Sequence, residues 1–358
     1  MARQISFLEE QKQEIYISTK ELKSIKKLSV ISLFSGCGGM DLGFRGGFDF
    51  LNNSYEKNPY DIVFASDIKQ KACDTYTHNF KHNSYCIDIR DLDYSLLPKT
   101  ADIIIGGFPC QDFSLAGKRK GLSSERGKLY LEMKKIIEYV RPIAFVAENV
   151  DGIRKSNLPL ELSPLEIIVE DFKNIGYKVK YKVLNAADYG VPQNRVRVII
   201  IGIRQDINKT IKYPSPTHGA DKTYNHITSK SAIDDLWFKL GSLDVKNHTQ
   251  KDFSRAKFYP GKKMQGNMKI KANSPSPTIR AEHHGNIEGH YRSLCDKEPD
   301  NVLNWRRLSV RECARLQSFP DDFEWDCSAS EAYKQIGNAV PPVMAWHIAR
   351  ALYNSLNN

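Results

Sequence analysis

Five short apolar runs that alternate with helical patterns most constrain how this chain can fold. The runs lie at residues 29–34, 61–66, 84–87, 101–107 and 143–148 and are dense in isoleucine, valine, phenylalanine and alanine. They lack a clean period of two, which is typical of strands buried on both faces of a parallel sheet. The sequence therefore predicts an α/β fold with a doubly wound, mostly parallel sheet.

Two amphipathic segments and two further strand-like runs extend this pattern. Residues 128–140 and 164–177 each place apolar side chains on one stripe with charged residues opposite, and the second segment stops at Gly176. The runs at 177–184 and 195–204 are close enough in sequence to pair with each other. We therefore expect them to form an antiparallel pair at the edge of the sheet.

Composition divides the chain into four parts. Residues 1–28 form a charged leader, and residues 29–204 contain the predicted large α/β domain. From 205 to 327 polar residues and proline dominate, so we expect a second, smaller, loop-rich domain. Residues 328–358 contain a closing helix pattern that starts at a proline, and we expect them to return to the large domain.

The excess of basic residues indicates a polyanionic partner. The chain has 52 lysines and arginines against 42 acidic residues, a formal net charge of +10, although many proteins without such a partner are equally basic. Seven cysteines without a C-x-x-C pair argue against a disulfide framework and a zinc site, so we expect free thiols and no metal. With neither a secretory signal nor an apolar run long enough to span a membrane, we expect a cytoplasmic protein.

The carboxyl ends of the predicted strands carry the residues of chemical interest, because ligands of open α/β sheets bind there. A turn with Gly36, Gly38 and Gly39 follows the first strand, Asp67 ends the second, and Asp88 ends the third. Glycines let the backbone approach a ligand, and the two acids can accept hydrogen bonds from ribose hydroxyls and an adenine amino group. Each feature alone has an ordinary structural explanation, but together they indicate a site for an adenosine-containing cofactor.

A cysteine at the end of the fourth strand is the candidate nucleophile. Pro109 precedes Cys110, and a long polar loop punctuated by glycines follows. A lone cysteine is usually a buried structural residue. This loop, however, is longer than an ordinary connection, and its positive charge favours the nucleophilic thiolate. We expect the loop to close as a lid in which Lys118, Arg119 and Lys120 meet phosphates.

Three charged residues near the other strand ends complete the candidate site. Glu148 lies at the end of the fifth strand, and Arg195 and Arg197 alternate onto one face of the expected edge strand. The arginines are either solvated or, beside a thiol and a carboxyl, able to hold a planar heterocycle. Residues 251–271 contain seven basic residues against one aspartate, which fits a solvated face and a nucleic-acid surface equally.

The ordered motifs of the chain resemble those of DNA (cytosine-5)-methyltransferases of the bacterial type II restriction-modification kind. The motifs run from residue 29 to 350 and read LFSGCGGMDLGF, GGFPCQDFSLAGKRKG, ENVDGI, VPQNRVRVIIIG, LSVRECARLQSFP and QIGNAVPP. Two departures are Ile87, where the family often has glycine, and a lengthened connection between the first helix and the second strand.

The resemblance implies a Rossmann-like, S-adenosylmethionine-dependent methyltransferase fold, with catalysis and cofactor binding in residues 29–204 and target recognition in 205–327. It implies that Cys110 attacks carbon 6 of a flipped-out cytosine, that Glu148 hydrogen-bonds the ring, and that Arg197, with Arg195 nearby, orients it. The expected contacts of the cofactor, S-adenosylmethionine, are Phe34, Ser35, Gly36, Cys37, Gly38, Gly39, Asp67, Ile68, Asp88, Ile89, Phe108, Pro109, Leu129, Asn338 and Ala339.

Double-stranded DNA is the partner that the resemblance implies. The expected DNA contacts lie in the loop after Cys110 and in the smaller domain, and are Gln111, Ser114, Lys118, Arg119, Lys120, Arg255, Lys257, Lys262 and Lys263. We also expect a monomer and a cognate restriction endonuclease that acts on the same site. The alternatives are an RNA cytosine-5 methyltransferase, a catalytically silent DNA-binding protein, and a nicotinamide-dependent oxidoreductase, which leaves Cys110 and Glu148 without a role.

Overall fold

A computed structural model of the protein describes residues 27–109, 129–155, 162–253, 269–281, 291–293 and 305–357. Nine strands lie before residue 205, and in chain order they are β1 (Leu28–Leu33), β2 (Phe48–Phe50), β3 (Asn53–Tyr55), β4 (Tyr60–Asp67), β5 (Tyr85–Cys86), β6 (Ile103–Gly106), β7 (Ala144–Val150), β8 (Tyr177–Asn185) and β9 (Val196–Arg204). Seven of them form one sheet in the order β5-β4-β1-β6-β7-β9-β8.

The strand directions confirm the predicted doubly wound, mostly parallel sheet. Strand β9 runs antiparallel to both of its neighbours, β7 and β8, whereas the other pairings in this sheet are parallel. The predicted antiparallel pair of β8 and β9 is therefore confirmed. The assignment of β9 as the edge strand is wrong, because β9 lies between β7 and β8 and its isoleucines at 199, 200, 201 and 203 are fully buried. The outermost strand on that side of the sheet is β8.

A β-hairpin occupies the lengthened connection before β4. Strands β2 and β3 pair only with each other, antiparallel. The rings of Phe48 and Tyr55 stack with their centroids 5.1 Å apart, and both side chains are buried. Sequence analysis did not predict these two strands, because a strand of only three residues is too short to show a clear apolar pattern.

The helices cover both faces of the sheet. In chain order they are α1 (Gly39–Arg45), α2 (Gln70–Phe80), α3 (Leu129–Val140), α4 (Pro164–Asn174), α5 (Ser229–Ile233), α6 (Val310–Leu316), α7 (Ala329–Asn338) and α8 (Pro342–Asn357). The predicted helices α3, α4 and α8 are confirmed. Helix α4 begins with a capping box, in which Ser163 and Glu166 bond each other's backbone N–H, and its chain turns away at Gly176, with φ 91°.

Two buried clusters lie on opposite faces of the sheet. On one face Met133 and Phe172, from α3 and α4, pack in a cluster with Ile104 of β6. On the other face α1 and α8 pack over β1 and β6, and the Tyr60 hydroxyl donates to the Ala349 carbonyl at 2.9 Å. Each fully buried aliphatic side chain contributes about 1.5 to 3 kcal/mol, so these clusters fix the sheet from both sides.

The part of the chain between residues 205 and 327 has few regular elements among its described residues. Besides α5 and α6, a short antiparallel pair joins β10 (Tyr291–Arg292) to β11 (Arg306–Arg307). Its apolar side chains, among them Leu236 and Leu308, belong to the same cluster as α1 and α8. The boundaries at 205 and 328 stay predictions. In the described ranges, no helix is long and apolar enough to cross a membrane.

Candidate active site

The turn after β1 is held by the carboxylate at the end of β4. Phe34 and Gly36 both have positive φ, 54° and 55°. Asp67 accepts hydrogen bonds from the Gly36 N–H at 2.9 Å and the Lys69 N–H at 2.8 Å. Burial raises the pKa of Asp67, against the lowering effect of these N–H groups. A carboxylate has about four lone-pair positions, so Asp67 can hold the turn and still accept from a ribose hydroxyl.

The residue after β4 offers an apolar side chain at the edge of the sheet, whereas the segment after β5 offers a carboxylate. Ile68 is 56% exposed directly after Asp67, which offers an apolar side chain to a ligand at this edge. Asp88 caps a short 3₁₀ turn and pairs with Arg90 at 2.5 Å, and this bond lowers the pKa of Asp88. The Ile89 side chain is buried in the core, so only its backbone is placed to contact a ligand.

Segments that are distant in sequence meet at the glycine turn. A Cβ on Gly39 would lie 3.0 Å from the Cβ of Ala339, so glycine is needed for this approach. The hydroxyls of Ser35 and Ser84 are 3.3 Å apart, and Asn338 is exposed at the end of α7. The structure thus brings Gly39 of the turn against Ala339, which follows α7, and places Ser35 beside Ser84, which precedes β5 and was not predicted.

Two members of the turn face the protein interior. Cys37 is 1% exposed, and burial raises the pKa of its thiol well above the usual range. Gly38 has φ 90°, and a Cβ there would lie 2.3 Å from the Phe80 ring. Beside Gly36, in contrast, no described atom lies within 4 Å of a Cβ position. The open side of the turn, with the spare lone pairs of Asp67, fits an adenosine-containing group.

Glu148 and Arg197 form an ion pair at the carboxyl end of β7. The Nε of Arg197 lies 2.8 Å from Oε1 of Glu148, and the two side chains are 12% and 10% exposed. Arg197 also donates to the Val196 carbonyl at 2.8 Å. Burial lowers the pKa of Arg197 and Glu148 opposes this, but a guanidinium stays charged in proteins. The ion pair with Arg197 uses Oε1, and a carboxyl group has further lone pairs, so Glu148 can also meet a substrate.

Arg195 lies directly before β9, two residues from Arg197, but contacts other groups. Its Nη1 donates to the Ile279 carbonyl and its Nη2 to the Gly337 carbonyl, both at 2.9 Å. The side chain is 1% exposed, so it is not solvated. Arg195 therefore fastens two distant chain segments to β9, while Arg197 holds the Glu148 carboxyl.

Two residues beside Glu148 were not among the predicted site residues. Asn149 is 2% exposed, and its Nδ2 donates to the Phe108 carbonyl at 3.2 Å while its Oδ1 accepts from the Val150 N–H. A Cβ on Gly107 would lie 3.0 Å from Oε2 of Glu148, so the glycine leaves room for the carboxyl. Both belong to the sequence motifs that contain Cys110 and Glu148, which was the available signal.

Gln193 is a third residue that sequence reasoning missed. It is fully buried, donates to the Leu316 carbonyl at 3.0 Å and accepts from the Ile279 N–H at 2.9 Å. Its position two residues before Arg195 in one motif was the signal. Gln193 and Arg195 together join β9 to the segments around 279, 316 and 337.

Several predicted residues lie outside the described residues, and they are Cys110, Gln111, Ser114, Lys118, Arg119, Lys120, Arg255, Lys257, Lys262 and Lys263. Three further predicted cofactor residues lie in the described ranges: Phe108 is 4% exposed with its ring 6.2 Å from that of Tyr130, Pro109 is half-buried, and Leu129 begins α3. Across the described ranges, no group of three or more histidine, cysteine or acidic residues is placed to hold a metal.

Comparison with known proteins identifies the family of the chain. Residues 28–354 match the family model of the C-5 cytosine-specific DNA methylases. The chain belongs to this family. It is therefore a DNA (cytosine-5)-methyltransferase, with its Glu148–Arg197 pair at the strand end where its motifs predict the reacting base.

Curated relatives and solved structures agree with this family. The chain is 36% identical to type II methyltransferase M.BsuRI of Bacillus subtilis, over 92% of this chain and 80% of that protein. It is 34% identical to M.FnuDI of Fusobacterium nucleatum, over 92% and 96%. The crystal structure of Schizosaccharomyces pombe Dnmt2 shares the fold, with a TM-score of 0.62 at 21% identity over 93% of this chain and all of that one.

Proposed function

We propose that this methyltransferase acts on cytosine in duplex DNA as the modification enzyme of a type II restriction-modification system, with S-adenosylmethionine as methyl donor. The type II methyltransferases among its relatives support the system, and a cognate endonuclease that recognises the same sequence is the expected partner. The methyl group goes to carbon 5 of a base that has left the stack.

The Glu148–Arg197 pair is the observation that carries this proposal. It lies at the end of β7, and Asn149 bonds the Phe108 carbonyl two residues before Cys110. A carboxyl group held by a guanidinium through one oxygen suits the edge of a cytosine, where it can donate a proton to ring nitrogen 3 and accept from the amino group. In a stacked duplex nitrogen 3 is bonded within the base pair and both faces of the ring are covered, so the base must be flipped at a cost of a few kcal/mol.

The chemistry follows from the weak nucleophilicity of carbon 5. The Cys110 thiolate forms a bond to carbon 6, and the electron pair of the 5,6 double bond becomes available at carbon 5. Glu148 takes up a proton when the base binds, donates it to nitrogen 3 and accepts from the amino group, so that no net negative charge builds up in the ring as the thiolate adds. Carbon 5 takes the methyl group as the methyl–sulfur bond of the donor breaks and the donor leaves as a neutral thioether. Carbon 5 then loses its proton to water, and the returning electron pair expels the Cys110 thiolate.

The roles of the two arginines differ in this proposal. Arg197 touches Glu148 and orients the carboxyl toward the base. Arg195 acts through position, because its guanidinium is taken up by the Ile279 and Gly337 carbonyls. We propose that it holds the segments around the base and the donor in register rather than contacting either.

The methyl donor is proposed to bind at the glycine turn. S-adenosylmethionine supplies an electrophilic methyl group there. Asp67 is placed to accept from its ribose hydroxyls and Ile68 to cover its purine. Asp88 can accept from the adenine amino group with the lone pairs that Arg90 leaves. The backbone of residues 34–39 lines the open side.

A covalent trap tests the nucleophile directly. A duplex with 5-fluorocytosine at the target cannot lose a proton from carbon 5, so the wild-type protein should form a crosslinked species that survives denaturing electrophoresis. Cys110→Ala should form none while retaining duplex binding. Cys327→Ala is the matched control, because burial raises the pKa of that thiol to about 11 and it should crosslink like the wild type. A crosslink in Cys110→Ala would refute the assignment.

Substrate competition separates DNA from RNA. Labelled methyl groups should pass from the donor to duplex DNA far faster than to transfer RNA, and bisulfite sequencing of DNA from expressing cells should reveal one methylated sequence motif. Faster transfer to RNA would favour an RNA cytosine-5 methyltransferase instead.

A further inference from the structure

A lysine-rich cavity lies at the outer edge of the sheet, away from the glycine turn. It has a volume of about 450 Å³ and is lined by ten residues, four of which are lysines: Lys173, Lys178, Lys180 and Lys209. None of the other six described lining residues is acidic. We call this the lysine cavity. Four lysines among the residues that line one concave surface give it a positive potential, which favours phosphate oxygens.

The walls of the lysine cavity come from different elements, which separates it from an ordinary solvated strand. Lys178 and Lys180 project from β8, Lys173 from the end of α4, and Lys209 from the segment after β9. Tyr213 fixes that last segment to the sheet, since its hydroxyl donates to the Lys180 carbonyl at 2.8 Å. The cavity is therefore built by packing and does not depend on a single exposed strand.

The charges of this surface are only partly neutralised. Lys173 pairs with Glu170 at 3.2 Å. Over the described ranges, no ion pair involves Lys178, Lys180 or Lys209. Lysines on an edge strand also prevent unwanted strand pairing. That role explains Lys178 and Lys180 on β8, but it does not explain why Lys209 joins them from another segment.

The register of the sheet links this surface to the candidate active site. Lys182 pairs across β9 with Ile199, which pairs with Glu148, so these three residues point to the same face of the sheet. Lys178 and Lys180 lie on this face too, because residues two apart in a strand share a face. A continuous row of lysines thus runs from the edge that carries Glu148 toward the lysine cavity.

We propose that the lysine cavity binds the phosphate backbone of duplex DNA outside the recognition sequence. This inference rests on duplex DNA being the substrate. By the register of the sheet Glu148 is level with Lys182, so Lys178 lies about 13 Å down the strand from that level and about 10 Å across two strands. The cavity therefore lies on the flank of the sheet below the edge that carries Glu148. A stiff 12-bp duplex, which extends about 20 Å to each side of the target base, would have to leave that edge to contact the cavity, whereas a 60-bp duplex can reach it by bending or with a second segment.

The salt dependence of DNA binding tests the proposal. The variant is K178Q/K180Q/K209Q, and the matched control K81Q/K99Q/K135Q removes three exposed lysines elsewhere. Affinity for 12-bp and 60-bp duplexes is measured by fluorescence anisotropy between 50 and 200 mM salt. On the 60-bp duplex the cavity variant should lose up to about 2.7 from the slope of log K against log salt, or about 0.9 per lost phosphate contact. The control should keep the wild-type slope.

Three outcomes would overturn the proposal. One is an equal slope for the cavity variant and the control on the 60-bp duplex. Another is an equal loss on the 12-bp duplex, which would place these lysines in the catalytic cleft. The third is displacement of DNA from the wild type by millimolar pyrophosphate at constant ionic strength, without dependence on duplex length, which would indicate a small phosphorylated ligand.

A methylation assay distinguishes this proposal from the proposed function. The cavity variant should methylate the 12-bp duplex with wild-type kcat, and its thermal midpoint should equal that of the control. If the wild type itself methylates neither duplex, the proposed function is wrong. The binding experiment still shows whether the lysine cavity binds the DNA backbone.

Discussion

Two buried glutamates of this protein differ in how completely their charges are bonded. Glu312, on α6, is fully buried and bonds Arg306 at 2.6 and 2.7 Å, Arg292 at 2.9 Å and the Ser309 N–H at 2.8 Å. Glu148, at the end of β7, bonds one arginine and is 10% exposed. The charge of Glu312 is bonded on both oxygens by groups of the protein, so Glu312 stabilises the fold. Glu148 keeps lone pairs with which it can bond a ligand.

The groups around Glu312 show what is needed to keep a fully buried carboxylate ionised. Burial alone would raise its pKa, but the bonds from Arg306 and Arg292 outweigh burial and lower it. The Trp237 ring packs against both guanidiniums, 4.2 Å from Arg306 and 5.0 Å from Arg292. The helix carrying Glu312 thus fixes β10 and β11, in the part of the chain predicted to recognise DNA. Stability there depends on charge pairing.

The largest effect should come from Glu148→Gln, measured as activity. The amide keeps the shape of the side chain but stabilises charge in the ring less well, so kcat should fall by about 10² to 10⁴, or about 3 to 5 kcal/mol. Duplex affinity should stay within a few-fold of the wild-type value. The free energy of unfolding should change little, because Arg197 still donates a hydrogen bond to the Val196 carbonyl. Steady-state kinetics and urea denaturation of the same preparation check both. A kcat within tenfold of the wild type would break the comparison.

Glu312→Gln should have the opposite profile. Loss of this carboxylate removes the one anion that Arg306 pairs with among the described residues and leaves Arg292 with Asp234 alone, and unpairing a buried charge costs about 3 to 5 kcal/mol. Urea denaturation should show that loss of stability, and the folded fraction should retain kcat. Wild-type stability in this variant would mean that the two glutamates do not differ in the way proposed.

The sequence predicted the parts of this molecule that depend on neighbouring residues. Strands β1, β4, β6 and β7 follow from uninterrupted apolar runs. The ends of those strands then located Asp67 and Glu148. These features are local, so periodicity along the chain is sufficient to find them.

What the sequence could not predict depends on long-range packing. Arg195 bonds carbonyls 84 and 142 residues away, and no local pattern indicates which of two alternating arginines does so. The placement of β9 between β7 and β8 also depends on strand order. The burial of Arg311, Glu312 and Arg315 contradicts the usual exposure of charged residues, and pairing in three dimensions explains it.

A third buried acid, Asp41, sharpens the comparison because none of the described arginines bonds it. It lies on α1 under the glycine turn, Tyr76 donates to its Oδ1 at 3.0 Å, and its buried Oδ2 has no partner in the described part of the chain. Burial raises its pKa from 3.8 to about 6. The folded state therefore binds the proton more tightly than the unfolded state, and this contribution to stability is lost as pH rises from about 4 to 6.

Asp41→Asn should consequently stabilise the protein by about 1 to 3 kcal/mol at pH 8, where the native carboxylate is ionised and buried. The gain should shrink toward zero near pH 4, where the native side chain is also neutral. Urea denaturation at pH 4, 6 and 8 measures the difference. A loss of stability at pH 8, or a gain independent of pH, would show that other groups of the folded protein stabilise the ionised carboxylate of Asp41.

The smallest effect should come from Glu166→Gln. This variant separates the contribution of helix capping from the contribution of arginines that bond a buried carboxylate. Glu166 and Glu312 occupy the same position in two capping boxes, each bonding the N–H of a serine three residues earlier. Glu166 is exposed and no buried arginine depends on it, so its replacement should leave the denaturation midpoint almost unchanged. If Glu166→Gln lowered the midpoint as much as Glu312→Gln, the cap and not the arginine pairing would account for the stability that Glu312 provides.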